Sequence, residues 1–122
     1  MSERSASERR TDNMGALSMR RDGLSIDDIA DVLAVPAAHV RRGIIAAGVE
    51  QGLSAAAAGR LAGVSRARAA TIAREEGWTV ARRQRARRKT ITGLSRAGLS
   101  SVDIADRTGL SVRTVRAVRR AR

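Results

Sequence analysis

The side chains best suited to chemistry in this chain are guanidinium groups near its carboxyl end. Arg113, Arg116 and Arg120 follow one another at intervals of three and four residues, which places them on one face of a helix. A guanidinium group carries a permanent positive charge and a planar set of N–H donors suited to anionic oxygens. This spacing predicts recognition of a charged or polar partner and not the making or breaking of bonds.

No arrangement of residues typical of an enzyme occurs in the sequence. The chain has no cysteine and a single histidine, His39, and no glycine-rich phosphate loop precedes a predicted helix. The spaced carboxylates Asp103 and Asp106 lie near the start of a predicted helix, where negative charge complements the helix dipole. We therefore expect no catalytic residue, no metal site and no cofactor.

The net charge of +12 is distributed unevenly. Residues 78–122 carry thirteen basic residues against two acidic ones, whereas residues 23–50 carry two basic against four acidic. A GC-rich genome would explain why arginine outnumbers lysine, but not this difference between segments. The excess predicts a polyanionic partner for the carboxyl-terminal part. The only aromatic residue, Trp78, leaves little to stack on single-stranded bases, which favours a duplex.

One sequence pattern occurs three times. Gly-Leu-Ser stands at 23–25, 52–54 and 98–100, and each triplet precedes two helix-sized stretches separated by a short break. The first and third copies align at an offset of 75 residues, and the first and second at an offset of 29. Alanine, arginine and leucine are plentiful and no alternating β-type run occurs, so the predicted fold class is all-α. A supersecondary unit used three times is the expected architecture.

The third copy has the spacing of two short helices joined by a tight turn, predicted over 101–107 and 112–120. Gly109 would end the first helix at positive φ, and Ser111 would cap the second. The second copy repeats this turn, whereas the first lacks the glycine and carries Pro36 instead. The inward-facing residues of the third copy are predicted to be Ile104, Ala105, Thr108, Leu110, Val115 and Val118.

Each Gly-Leu-Ser triplet would also end a preceding helix, which gives three helices per copy. Since no linker is left between the first two copies, the last helix of the first should continue into the first helix of the second. This arrangement resembles the helix-turn-helix superfamily, in the three-helix, homeodomain-like form found in site-specific recombinases, transposases and many bacterial regulators. The resemblance covers about 95 of the 122 residues.

We therefore expect an all-α protein with three tandem helix-turn-helix units, the first two fused as one block and the third joined by a basic linker. Trp78, between the block and the third unit, is expected to cover the core of the second unit. The predicted segments are a disordered amino-terminal tail (1–13), unit 1 (14–44), unit 2 (45–77), a basic linker or arm (78–89) and unit 3 (90–122).

The resemblance implies that the second helix of unit 3 enters the major groove of double-stranded DNA. Arg113 and Arg116 are then candidates for bidentate contact with guanine, and Val112 for contact with a thymine methyl group. Other candidate DNA contacts of unit 3 are Ser111, Thr114, Arg119 and Arg120. The corresponding candidates of unit 2 are Ser65, Arg66, Arg68, Thr71 and Arg74.

Unit 1 and the basic run are open to two interpretations each. In unit 1 the candidates are Arg41 and Arg42, but an acidic helix precedes them, so packing or self-association is as well supported as DNA contact. The basic run is predicted either as an arm that follows the DNA backbone or enters the minor groove, or as a solvated helix or linker. Its candidate residues are Arg82, Arg83, Arg85, Arg87, Arg88 and Lys89.

The predicted function is sequence-specific binding of double-stranded DNA by a protein of bacterial or phage type. It would act as a transcriptional regulator or as an accessory factor in recombination, replication or segregation. The alternatives are the DNA-binding part of a recombinase or transposase, and a DNA-anchored module that binds a partner protein or a second copy through unit 1. No apolar stretch near the amino terminus is typical of a signal peptide or membrane span, so we expect a cytoplasmic, nucleoid-associated protein.

Overall fold

The computed structural model describes residues 5–121, and the regular elements in that range are all α-helices, which confirms the all-α prediction. The helices are α1 (Ala6–Arg21), α2 (Ile26–Leu33), α3 (Ala37–Glu50), α4 (Ala55–Ala62), α5 (Arg66–Glu75), α6 (Val80–Arg96), α7 (Ser101–Thr108) and α8 (Val112–Arg120).

Hydroxyl side chains start nearly all of these helices. Seven of the eight begin after a serine or threonine whose side-chain oxygen accepts a backbone N–H of the first turn. The exception is α3, which follows Pro36 and has no side-chain cap. The Gly-Leu-Ser triplets act as predicted: their glycines have φ values of 100°, 96° and 93°, and their serines cap α2, α4 and α7.

Three helix pairs are joined by turns of three residues: α2 to α3, α4 to α5 and α7 to α8. Gly63 and Gly109 end α4 and α7 in the left-handed conformation, at φ values of 74° and 73°. In the first turn Ala34 takes this place at a φ of 55°, where a side chain costs about 1–2 kcal/mol. The directions of α2 and α3 differ by 98°.

The central helix is α3, which contacts α1, α2, α4, α5 and α6. It runs without interruption across the predicted boundary between units 1 and 2. Gly43 and Gly48 allow its neighbours to approach closely. A Cβ at Gly43 would lie 2.5 Å from Asn13 Oδ1 of α1, and one at Gly48 would lie 3.0 Å from Ala58 Cβ of α4. The first two repeats therefore share one core around α3.

The expectation of a disordered tail over 1–13 is wrong for residues 6–13, which form the first half of α1. Ser5 Oγ accepts the N–H of Glu8 at 3.1 Å and donates to Glu8 Oε1 at 3.3 Å, so Ser5 caps the start of the helix. Further along the helix, Arg10 pairs with Glu50 of α3, and Arg20 Nε donates to the Leu61 carbonyl oxygen of α4 at 2.8 Å. Residues 1–4 lie outside the described residues.

Of the predicted basic linker or arm over 78–89, residues 80–89 are helical and form the first ten residues of α6. Thr79 caps this helix, and no glycine or proline interrupts it before Gly93. Trp78 is 6% exposed within the core of the first two repeats, which confirms its predicted place as a cover. The basic run therefore starts beside that core and continues directly into unit 3.

Unit 3 packs against the first two repeats instead of standing apart. Its own core consists of Ile91, Ile104, Ala105 and Val115 with partly buried neighbours, which is small for independent stability. The N–H of Ser54 donates to the Thr108 carbonyl oxygen at 3.2 Å, which joins the start of α4 to the end of α7. A Cβ at Gly52 would lie 2.9 Å from Thr90 of α6, and one at Gly109 would lie 2.3 Å from Ala57 Cβ. Glycine and alanine at this junction allow the backbones to meet.

Across residues 5–121, no single helix is long and apolar enough to cross a membrane. The pair α2 and α3 meets that test only when taken together across its 98° bend.

The junction is tested by comparing two glycines with the same backbone conformation. Gly63→Ala places a side chain at a φ of 74° with open space around it, and should lower the free energy of unfolding by about 1–2 kcal/mol. Gly109→Ala adds a clash with Ala57 and should cost about 1–3 kcal/mol more. Urea denaturation followed by circular dichroism measures both. Equal losses would contradict the packing of unit 3 against α4.

Candidate nucleic-acid interface

Helix α8 has one face fixed in the core of unit 3 and the other face exposed. Val115 is fully buried and Val118 packs beside it, which holds the helix in one rotational setting. Arg113, Arg116 and Arg120 are exposed on the opposite side. The structure therefore brings together the three arginines singled out by their spacing, on a surface with no acidic residue in α8 itself.

The remaining candidates of α8 differ in availability. Ser111 caps the helix, and its hydroxyl lies 2.8 Å from that of Thr114, so both side chains have intramolecular partners. Arg119 is half-buried and its Nη1 donates to Ser101 Oγ of α7 at 2.9 Å. Val112 packs partly buried against the unit 3 core. The predicted contact of Val112 with a thymine methyl group stays a prediction, and only part of its side chain is accessible.

Helix α5 presents a second exposed basic surface. Arg66, Arg68 and Arg74 are exposed, while Ala69 and Ile72 on the other side are buried. Ser65 caps the helix through the N–H of Arg68. The Thr71 hydroxyl donates to the Ala67 carbonyl oxygen at 3.1 Å and accepts from Arg74 at 3.3 Å, so these two side chains contact each other along the helix.

Arg42 has a structural partner that the sequence analysis did not foresee. Its two terminal nitrogens donate to Glu76 and Glu75 at the end of α5, both at 2.9 Å. These hydrogen bonds, with Glu76 contributing most, raise the pKa of Arg42 above its ordinary value. Because both ends of the guanidinium are occupied, the assignment of Arg42 to DNA contact is corrected to a link between α3 and α5.

The remaining part of α3 offers little surface to a partner. Arg41 is half-buried, and from Gly43 to Val49 all but one of the residues are buried. A helix enclosed on this scale cannot enter a groove along its length. The exposed residues of α3 are Ala38 and His39, both in its first turn.

The cations of α6 divide between two sides of the helix. Arg82, Arg85 and Lys89 line a cleft between α6 and the first two repeats. Arg83 and Arg87 are half-buried and Arg88 is exposed, and none of these three lines that cleft. The segment is helical, as in one of the two interpretations, and contact of its cations with DNA stays a prediction. Residues Arg10, Arg21 and Arg107 share the cleft, and no local pattern marked them because they belong to different repeats.

No group of three or more histidine, cysteine, aspartate or glutamate residues placed to hold a metal ion occurs among residues 5–121. Within the same range every buried side-chain polar atom has a hydrogen-bond partner. The arrangement offers charge and hydrogen-bond donors at its surface.

No family model matches this chain, and no curated protein or solved structure is significantly similar to it.

The role assigned to Arg42 is tested by comparison with its neighbour. Arg42→Gln should lower the free energy of unfolding by roughly 0.5–1 kcal/mol at low salt, because two partly exposed ion pairs are lost. Arg41→Gln removes the same charge without those partners and should cost less. The difference should shrink in about 1 M salt, where such pairs are screened. A loss for Arg42→Gln that persists at high salt would argue against the ion pairs as its origin.

Proposed function

We propose that this chain binds double-stranded DNA sequence-specifically, with α8 as its principal recognition helix. The observation that carries this proposal is the exposed row Arg113, Arg116 and Arg120 on a helix whose opposite face is fixed by Val115. Guanidinium groups held in this way can donate two hydrogen bonds to the major-groove edge of guanine. Nearby cations can then neutralise backbone phosphates and supply sequence-independent affinity.

The connection between helices supports the same proposal. A helix-turn-helix unit joins two helices at about 90–120° through a turn of three or four residues, and the second helix enters the major groove. Here each of the three turns has three residues, and the bend between α2 and α3 is 98°. On this basis we interpret α2–α3, α4–α5 and α7–α8 as helix-turn-helix pairs, with α1, α3 and α6 as the preceding helices.

In this proposal α5 is the second recognition helix. Arg66, Arg68 and Arg74 supply its charge, and the close approach of Ala57 and Gly109 joins α4 to the end of α7. The link from Arg42 to Glu75 and Glu76 would also reduce the repulsion of DNA by two carboxylates at the end of α5. Such a protein would act at the nucleoid, as a transcriptional regulator or as an accessory factor in recombination, replication or segregation.

A second candidate function, binding of another protein through unit 1, is favoured by α2. Asp27, Asp28 and Asp31 are exposed there together with Val32, which is 65% exposed. An acidic surface with an exposed apolar side chain repels DNA and suits a basic protein partner. In that case units 2 and 3 would anchor the partner to DNA.

Base contact by α8 is tested with single substitutions on a selected duplex and on point variants of it. Arg113→Ala or Arg116→Ala should weaken binding by about 1–3 kcal/mol and relax discrimination at one base pair. Arg60→Ala is the charge-matched control on α4, where an exposed arginine is lost outside the recognition helices. It should affect all duplexes equally. If Arg113→Ala and Arg116→Ala weaken binding to every duplex equally, these two arginines contact phosphates. That result would contradict base recognition by α8.

A further inference from the structure

A cleft of about 800 Å³ lies between the first two repeats and unit 3. Cationic side chains from three helices line it: Arg10 and Arg21 of α1, Arg82, Arg85 and Lys89 of α6, and Arg107 of α7. Among the described residues the one carboxylate in the lining is Glu50. The volume falls in the range of small-molecule sites, about 300–1,000 Å³.

Several of these cations are held in place by neighbouring groups. Arg10 forms an ion pair with Glu50, so the charge of the one carboxylate in the lining is balanced by Arg10. Arg21 Nη1 donates to Gln51 Oε1 at 3.2 Å. The guanidinium of Arg82 lies 4.1 Å from the centre of the Trp78 ring and donates to the Gly77 carbonyl oxygen at 3.4 Å. Five positive charges therefore remain in the lining without a carboxylate of the cleft to balance them.

Two of the cations oppose each other across the junction of the repeats. Burial lowers the pKa of Arg21, and the nearby charge of Arg107 lowers it further. The two residues come from α1 and α7, so their repulsion acts between the first two repeats and unit 3. An anion between them would turn this repulsion into attraction on both sides.

The lining also indicates what kind of anion fits. Trp78 is 6% exposed and Arg82 covers its ring, so no aromatic face is free to stack on a base. The arginines of α5 and α8 do not line the cleft, so it is separate from the surface assigned to base contact. Recognition there would depend on charge and on N–H donors, which suit several phosphate oxygens at once.

We propose that this cleft binds a small anion with more than one phosphate group, of the pyrophosphate or triphosphate class, which bridges α1, α6 and α7. The proposal does not rest on DNA binding by the chain. Because Thr108 lies in the lining and bonds to Ser54 across the junction, an anion in the cleft would strengthen the contact between unit 3 and α4. Phosphate oxygens could also come from a DNA backbone, and the experiment separates the two sources.

The test is calorimetric titration of the full chain with inorganic triphosphate at constant ionic strength. We expect saturable binding of one anion per chain and a Tm that rises with triphosphate concentration. The double variant Arg85→Gln, Lys89→Gln should raise the Kd at least tenfold. Its charge-matched control, Arg66→Gln with Arg68→Gln on α5, should leave the Kd within twofold. All four side chains are exposed, and far-UV circular dichroism checks that the helices are retained.

A further variant gives a readout that does not depend on added anion. Arg107→Gln removes the repulsion of Arg21 and should raise the Tm in phosphate-free buffer at low salt, while weakening triphosphate binding. Absence of saturable binding, or equal weakening by the cleft variant and its control, would overturn the proposal. A third result would also overturn it: the cleft variant loses affinity for a short duplex while its Kd for triphosphate stays unchanged. The cleft would then bind phosphates of the DNA backbone.

Discussion

Helices approach one another closely in this protein because glycine and alanine stand where they cross. The sequence has few large apolar side chains, so burial depends on short distances between backbones. A Cβ on Gly59 would lie 2.6 Å from Ala69 Cβ, where α4 meets α5. A Cβ on Gly43, Gly48 or Gly109 would have a neighbour on another helix within 3.0 Å. This constraint explains why α3 can serve two repeats at once and why unit 3 rests directly on α4. Larger side chains at these points would separate the helices and remove most of the dispersion energy of a thin core.

Close packing also determines which cations are available to a partner. Arg42 and Arg119 are tied to other helices. By contrast, Arg113, Arg116 and Arg120 of α8 are exposed because Val115 fixes the other side of that helix. Helix α3 differs from α5 and α8 because it is enclosed by α1, α4 and α5. A helix buried for structural reasons is a poor recognition element, which leaves unit 1 suited to support the block or to contact another protein.

Local features of the fold could be predicted from the sequence, and contacts between repeats could not. The serine caps and the left-handed glycines depend on neighbours within a few residues, so their spacing was sufficient. The start of α1 had such a signal as well, in Ser5 and Glu8, but the charged composition of the segment hid it. By contrast, the pairing of Arg42 with Glu75 and Glu76, and the contact of Ala57 with Gly109, join residues more than thirty positions apart. No periodicity encodes such contacts, and the presence of Arg10, Arg21 and Arg107 in the cleft could not be predicted for the same reason.

The most direct test of the account is selection of bound duplexes from a random pool, followed by footprinting of the full chain on the selected sequence. If α8 and α5 contact bases from a fixed arrangement, the selected sites should contain two enriched blocks at constant spacing within one protected stretch. Arg113→Ala should then relax the preference at one base pair of one block and leave the other block unchanged. Absence of any enriched sequence, at a salt concentration where binding is still measurable, would contradict sequence-specific recognition. The basic surfaces would then bind polyanions through charge alone.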